Sequence, residues 1–389
     1  MQNNTQTKNT LIPKLRFKEF EGDWIKVEIG DTCTVKTGGK DTQDRIENGK
    51  YPFFVRSNTV ERINSYSFDG EAILTSGDGV GVGKNFHFIN GKFDYHQRVY
   101  ALHSFKSNFL GAFIYQVFVE KFYKRVMRLS AKNSVDSVRM NMITEMKIAF
   151  PSLKEQQKIA TFLTSVDSKL QQLNKKKELL ANYKKGVMQQ LFSQQLRFKN
   201  DNGTDFSDWE FLRGNVLFKS ISDKKHNSDL PILAITQDQG AIPREMINYK
   251  MIVTEKSVAS YKVVQIGDFI ISLRSFQGGI EYSNYHGICS PAYNILRPSS
   301  ENVHGEFYKV YLKTTFYIKQ LQKKLEGIRD GKMISYKYFS EIKLPFPSLK
   351  EQQKIANYLS AIDTKIENVQ TQITKTQAFK KGLLQQMFV

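Results

Sequence analysis

One eleven-residue string occurs twice in this chain, and that duplication constrains the fold more than any other feature. Residues 150–160 read FPSLKEQQKIA, and residues 346–356 read FPSLKEQQKIA again. The likeness continues at the same offset of 196: Lys184-Lys185-Gly186 matches Lys380-Lys381-Gly382, and Gln189-Gln190 matches Gln385-Gln386. Upstream, Glu145 and Lys147 match Glu341 and Lys343. A second landmark opens each half. Leu15-Arg16-Phe17 precedes Trp24, and Leu196-Arg197-Phe198 precedes Trp209, the only other tryptophan. Between the landmarks the halves diverge. GEAILTSGDG (70–79) pairs with GDFIISLRSF (267–276), and VYAL (99–102) with YNIL (293–296). Internal repetition on this scale means one unit built twice. It divides the chain into variable domains at 1–150 and 196–346 and repeated segments at 151–195 and 347–389.

The repeated segment carries the marks of a long helix. Ser152–Glu155 and Ser348–Glu351 fit the S-x-x-E capping box, with Pro151 and Pro347 just outside it. Apolar residues then recur at spacings of four and three. The first copy presents Ile159, Leu163, Val166, Leu170, Leu173, Leu180, Val187 and Leu191, and the second Ile355, Leu359, Ile362, Ile366, Val369, Ile373, Leu383 and Met387. This is the 3.5-residue period of a helix-on-helix seam. Lys177, Lys184, Thr376 and Lys380 interrupt it. Two matched stripes favour the two helices packing on each other over each packing on a separate core. About 40 helical residues span roughly 60 Å, more than the ~34 Å of one DNA turn.

Each variable domain reads as mixed α/β (α+β). Strand-like runs fall at Ile25–Ile29, Pro52–Val55, Ala72–Leu74 and Val99–Leu102, then at Pro231–Ile235, Phe269–Leu273 and Tyr293–Leu296. Helical stretches follow at Phe109–Leu129 and Phe307–Leu325.

The net charge of +19 is spread along the chain rather than gathered in a tail. Residues 1–150 carry +6 (22 basic, 16 acidic), 151–195 +5 (8 and 3), 196–346 +5 (21 and 16) and 347–389 +3 (6 and 3). Even basicity over folded segments suits a large polyanion. No apolar run reaches the ~18 residues of a membrane span, and the polar N-terminus lacks a signal-peptide core, so a cytoplasmic protein is expected. Cys33 and Cys289, one in each half, are expected to be unpaired thiols in or near cores.

Candidate DNA contacts lie in loops beside the strands. Thr75–Asn85 is glycine-rich and includes Ser76, Asp78 and Lys84. It fails as a P-loop, because Asp78 stands where a glycine is needed and Asn85 follows the lysine. A loop approaching a nucleic-acid backbone and a plain hairpin turn both fit it. In Leu273–Ile280, Arg274, Ser275 and Gln277 stand beside Gly278 and Gly279. Arg and Gln are suited to bidentate contacts with guanine and adenine edges. Alignment adds Arg56, Ser57 and Asn58 opposite Ile235, Thr236 and Gln237. It also adds His96, Gln97 and Arg98 opposite Ser290, Pro291 and Ala292, with Tyr293 opening the next strand.

Catalytic motifs are missing. There is no HExxH, Walker lysine, nucleophile elbow or clustered Cys/His, and no metal-ligand set is expected. The adenine-flipping Asp-Pro-Pro-Tyr loop and the Pro-Asp…Glu-x-Lys nuclease pattern are likewise missing. A stand-alone DNA methyltransferase or nuclease is therefore disfavoured. A basic coiled-coil scaffold with no specific ligand remains a second alternative.

The order of variable domain and repeated helix, given twice, resembles the specificity subunit of type I restriction-modification systems. The resemblance covers nearly the whole chain and is sharpest at Pro151–Ala160 and Pro347–Ala356. It implies two target recognition domains, each reading half of a split double-stranded DNA site, and an antiparallel coiled coil of the two helices, related by a pseudo-two-fold. It also implies two modification subunits carrying S-adenosylmethionine, and restriction subunits using ATP and Mg for translocation and cleavage. This chain is then expected to bind no cofactor and to meet no membrane. The recognition domains of the family vary freely, so no base contact transfers by residue.

Overall fold

Strand Phe68–Ser76 buries each of its last five residues, Ala72 to Ser76: Ile73 packs in the core with Phe113 and Phe118 of a helix, and Ala72 and Leu74 in a second cluster with Phe54, Phe93 and Tyr95. The computed structural model describes residues 11–79, 81–130, 137–227, 229–247, 255–325 and 335–389. Up to the first long helix the main elements are β1 (Ile25–Glu28), β2 (Thr34–Thr37), β3 (Tyr51–Phe54), β4 (Val60–Ile63), β5 (Phe68–Ser76), β6 (Phe86–Tyr95), β7 (Val99–His103), α1 (Gly111–Leu129) and β8 (Lys147–Phe150). The helix itself is α2 (Leu153–Phe192). There follow β9 (Glu210–Arg213), β10 (Phe218–Ile221), β11 (Leu233–Thr236), β12 (Gly240–Pro243), β13 (Lys262–Val264), β14 (Phe269–Ile271), β15 (Glu281–Tyr282), β16 (Gly287–Cys289) and β17 (Asn294–Pro298). The chain closes with α3 (Gly305–Tyr311), α4 (Thr315–Leu325), β18 (Lys343–Phe346) and α5 (Leu349–Met387). No described helix is long and apolar enough to cross a membrane.

The contacts form two compact units. One holds the described residues up to Lys176 together with Val369–Val389; the other is Lys177–Asn368. In the first, six strands run in the order β2-β7-β5-β6-β3-β4, with β3 and β6 parallel and the other pairs antiparallel. β1 pairs separately with β8, joining Ile25 to Phe150 and Glu28 to Lys147. The apolar face of α1, with Phe113, Val117, Phe118 and Phe122, lies on Ile73 and Leu102 of the sheet. Each such buried side chain contributes about 1.5–3 kcal/mol.

The second unit repeats this plan. β10-β17-β14-β15 corresponds to β2-β7-β5-β6, and the pair β9-β18 corresponds to β1-β8. β11-β12 and β13-β16 form two further antiparallel pairs. Phe307, Tyr308 and Tyr311 of α3 fill the core with Phe218, Phe269 and Leu296. The fold is thus two α+β domains of one topology and two long helices.

Four details differ from the sequence reading. The helix expected over Phe307–Leu325 is broken at 312–314, where the Thr314 hydroxyl accepts from the Tyr317 amide at 3.2 Å and starts a new helix. β6 is a ten-residue strand that was not expected, its alternation obscured by Asn90-Gly91. Only half of each capping box forms. The Glu155 and Glu351 amides donate to Ser152 and Ser348 Oγ at 3.4 Å, but both carboxylates turn away to arginines.

The apolar stripes, lastly, serve two partners. In the first unit Ile159, Leu163 and Val166 at the start of α2 share a core with Leu383 and Met387 at the end of α5, and with α1. Lys380 Nζ donates to Asp167 at 2.5 Å, which sets the two segments antiparallel. In the second unit Ile355, Leu359 and Ile362 share a core with Val187, Leu191 and Phe307. Lys184 donates to Asp363 at 2.5 Å there, and the hydroxyls of Tyr183 and Tyr358 lie 2.6 Å apart. Leu173 and Val369 are buried, while Leu170 and Ile366 are half-buried. The seam is real, and its ends double as part of each domain's core.

Candidate nucleic-acid interface

Both landmarks of the repeat converge on one framework contact in each domain. Arg16 donates to Glu155 and to the carbonyls of Glu21 and Gly22, which lead towards Trp24. Arg197 donates to Glu351 and to the carbonyls of Phe206 and Ser207, just before Trp209. The next residue of each motif clamps the recognition domain. Gln156 donates to Asn108 O and Pro151 O and accepts from the Leu110 amide at 2.9 Å, at the start of α1. Gln352 donates to Asn302 O and Pro347 O and accepts from the His304 amide at 2.9 Å, at the start of α3. The duplicated residues are therefore spent on holding each domain to its helix. The surfaces between are free to differ.

In the first domain four loops gather at one end of the sheet. The His96 amide donates to Phe54 O, Gln97 N to Lys40 O, and Gly77 N to Arg98 O, at 2.7–2.9 Å. Gly38 is required here, since a Cβ would sit 1.9 Å from Tyr95 O. Asp78, part-exposed, lies between two exposed arginines, 3.3 Å from Arg56 Nη1 and 3.8 Å from Arg98 Nε. Exposed Gln97 donates to Asp41 at 2.9 Å. Asn85 Nδ2 reaches Arg56 O at 3.0 Å and buried Ser76 at 3.4 Å, so Ser76 supports the loops from beneath. Lys84 is exposed, its ammonium 5.0 Å from the centre of the Tyr123 ring. Ser57 and Asn58 are exposed in the β3–β4 turn. His96 Nδ1 accepts from the Arg98 amide at 2.9 Å, which places its proton on Nε2, facing Asp41. Burial pushes the imidazole below its usual range, with Asp41 opposing and Arg56 assisting.

In the second domain the β11–β12 turn meets the one-turn helix Ser275–Gly278. Gln237 is exposed and donates to Arg274 O at 3.4 Å, while Thr236 Oγ1 closes its own turn on Gly240 O at 3.0 Å. Arg274 and Gln277 are exposed. Ser275 is buried and accepts from the Ser272 amide at 2.8 Å, so it shapes the turn from inside. Tyr293 is half-buried; burial raises its phenol, against the pull of Arg244 and Arg274. Lys40, Asp41, Arg244 and Lys313 join these sites without having been singled out in the sequence. Gly38-Gly39-Lys40-Asp41 was the one available signal, a turn ending in charge.

The two thiols are buried, and burial pushes Cys33 up to about 11 and Cys289 up to about 12, so neither is a thiolate at neutral pH. Among the described residues no group of three or more His, Cys, Asp or Glu side chains is placed to hold a metal.

Residues 21–181 and 205–376 match the family model described as type I restriction modification DNA specificity domain. The chain belongs to this family. It is a specificity subunit that recognises DNA sequence. Among relatives of this type I specificity family, the type I restriction enzyme EcoDI specificity subunit of Escherichia coli is 23% identical over 93% of this chain and 86% of that protein. The MjaVIII specificity subunit of Methanocaldococcus jannaschii is 26% identical over 95% and 94%. The fold is also that of the type I restriction-modification S subunit from M. genitalium, with a TM-score of 0.65, 17% identity, and 97% and 99% of the two chains covered.

Proposed function

We propose that this specificity subunit reads a bipartite, asymmetric duplex site, one half with each recognition domain, and is itself non-catalytic. Methylation and cleavage fall to partners: two modification subunits carrying S-adenosylmethionine, and restriction subunits using ATP and Mg. The observation that carries this reading is the contrast between framework and surface. Glu155, Gln156, Glu351 and Gln352 make matching contacts in the two domains. The loop clusters do not match, with Arg56, Asp78 and Arg98 in one and Gln237, Arg274 and Gln277 in the other. Two unlike readers on one frame call for two unlike half-sites.

The test is binding of the chain, assembled with a modification subunit, to duplex libraries. Tight binding to one split sequence is expected; equal affinity for all duplexes overturns the reading. The helices supply a second arm. Inserting four residues after Asn174, with a matching insertion after Gln370, adds about 6 Å of helix. The gap between half-sites should lengthen by roughly two base pairs, at ~3.4 Å each, with the half-sites unchanged. Altered bases within a half-site would contradict the spacer role.

A further inference from the structure

Lys313 bonds the backbone of a candidate reading residue, Gln237, and stands behind the turn that carries it. It occupies the break between α3 and α4, where its ammonium donates to Gln237 O at 3.0 Å and pairs with Glu281. Glu281 is 2% exposed. Its other oxygen, Oε2, has no hydrogen-bond partner among the described residues. Burial raises this carboxyl and Lys313 opposes the rise.

The segments around this pair pack closely, Gly278 against the Gln237 side chain and Gly279 and Gly240 against backbone carbonyls. A Cβ on Gly278 would lie 2.8 Å from Gln237 Cδ, and one on Gly279 (φ +86°) 2.3 Å from Leu312 O. A Cβ on Gly240 (φ +75°) would lie 2.6 Å from Tyr282 O. The Gln237 turn, the Arg274–Gly279 turn, β15 and the helix break are therefore pressed together. Gln237, Asp238, Glu281 and Lys313 line one cleft of about 490 Å³. A lysine ammonium has three donors and no acceptor. Two of them are directed at Glu281 and Gln237 O, so the ion pair fixes where the Gln237 backbone stands. A buried pair is a poor means of gaining stability, because desolvation offsets most of the attraction. A role in fixing geometry accounts for it better.

We propose that Lys313, held by Glu281, is a positioning residue for sequence reading by the second domain, setting the place of the Gln237 turn against Arg274. This rests on the reading that the second domain recognises one half-site.

The experiment uses the chain assembled with modification subunits, with bound sequences selected from random duplexes. Gln237→Ala tests the underlying reading, and should relax base preference in one half-site only. Lys313→Met should relax the same positions, by about tenfold in preference ratio, and leave the other half-site intact. Lys313→Met also leaves the buried Glu281 carboxyl without its partner, so Lys313→Met/Glu281→Gln is measured beside it and should show the same relaxation with the fold retained. Lys313→Arg should restore preference. If Gln237→Ala relaxes one half-site while the double variant keeps full preference, the positioning role is overturned and the reading stands. If Gln237→Ala changes nothing, the reading of this turn fails and the inference falls with it.

Discussion

Arg16 and Glu155 meet through two parallel hydrogen bonds, Nε to Oε1 at 2.8 Å and Nη2 to Oε2 at 2.7 Å, although 139 positions separate them. Their side chains are 13% and 1% exposed. Removing one partner from such a pair strands the other charge and typically costs about 3–5 kcal/mol. Glu155→Ala should therefore destabilise the first unit by that amount in urea unfolding. Arg16→Met/Glu155→Leu should recover most of the loss. A single-variant cost below about 1 kcal/mol would mean that the pair behaves as a surface contact.

The two glutamines of the repeated motif should separate cleanly. Gln156 is buried with three backbone partners, whereas Gln157 is exposed. Gln156→Ala leaves the Leu110 amide and Asn108 carbonyl without it and should cost about 2–3 kcal/mol. Gln157→Ala should stay within ~0.5 kcal/mol. Amide exchange at Leu110 should accelerate in the first variant alone.

Asp78 restrains two arginines that a phosphate backbone would otherwise attract. Asp78→Asn should raise affinity for unrelated duplexes and steepen the fall of log K with log salt by about one unit. Preference within the first domain's half-site should fall, because Arg56 and Arg98 lose a shared anchor. An unchanged salt slope in a titration series would exclude these arginines from the interface.

Acid should weaken the first unit. Burial holds His87, His96 and His103 below the usual imidazole value of about 6.5. Below that value the unfolded chain takes up protons that the folded chain refuses. Stability is then full above pH ~7 and falls as pH drops through 6.5 towards the lower folded values. His304 acts in the same sense in the second unit. Glu71, raised by burial, works the other way at lower pH. The Tm should decline between about pH 7 and 5.5, and His87→Leu should flatten that decline. A Tm level over this range would contradict the assignment.

The architecture was legible because duplication is visible as text. Identical strings mark the helix starts, and the four-three spacing of Ile159, Leu163 and Val166 marks the buried face. What Glu155 and Gln156 do was not legible. A capping box predicts a local partner for Glu155, and only the fold brings in Arg16 from the far side of the domain. The site was legible in part. Arg56, Arg98 and Arg274 stand exposed in loops and Gln277 in a one-turn helix, but Ser76 and Ser275 turn inward to hold those segments. Lys313 lay hidden inside what read as one uninterrupted helix, and nothing short of its contacts with Glu281 and Gln237 sets it apart.

The shared seam also imposes an order in time. The core of the first unit includes Leu383, Leu384, Met387 and Phe388. A nascent chain reaches Lys176 long before those residues exist. At a synthesis rate of ~5–20 residues per second, the roughly 200 residues between take about 10–40 s. Through that interval Phe113 faces water on the side that Phe388 later covers, and the core it shares with Phe150 and Leu163 is incomplete. The second unit, Lys177–Asn368, already contains every residue of its own core before the last turns of α5 are made. The domain begun first is thus the one finished last, and a chain terminated between Asn368 and Leu383 would have its second unit complete and its first unit still open.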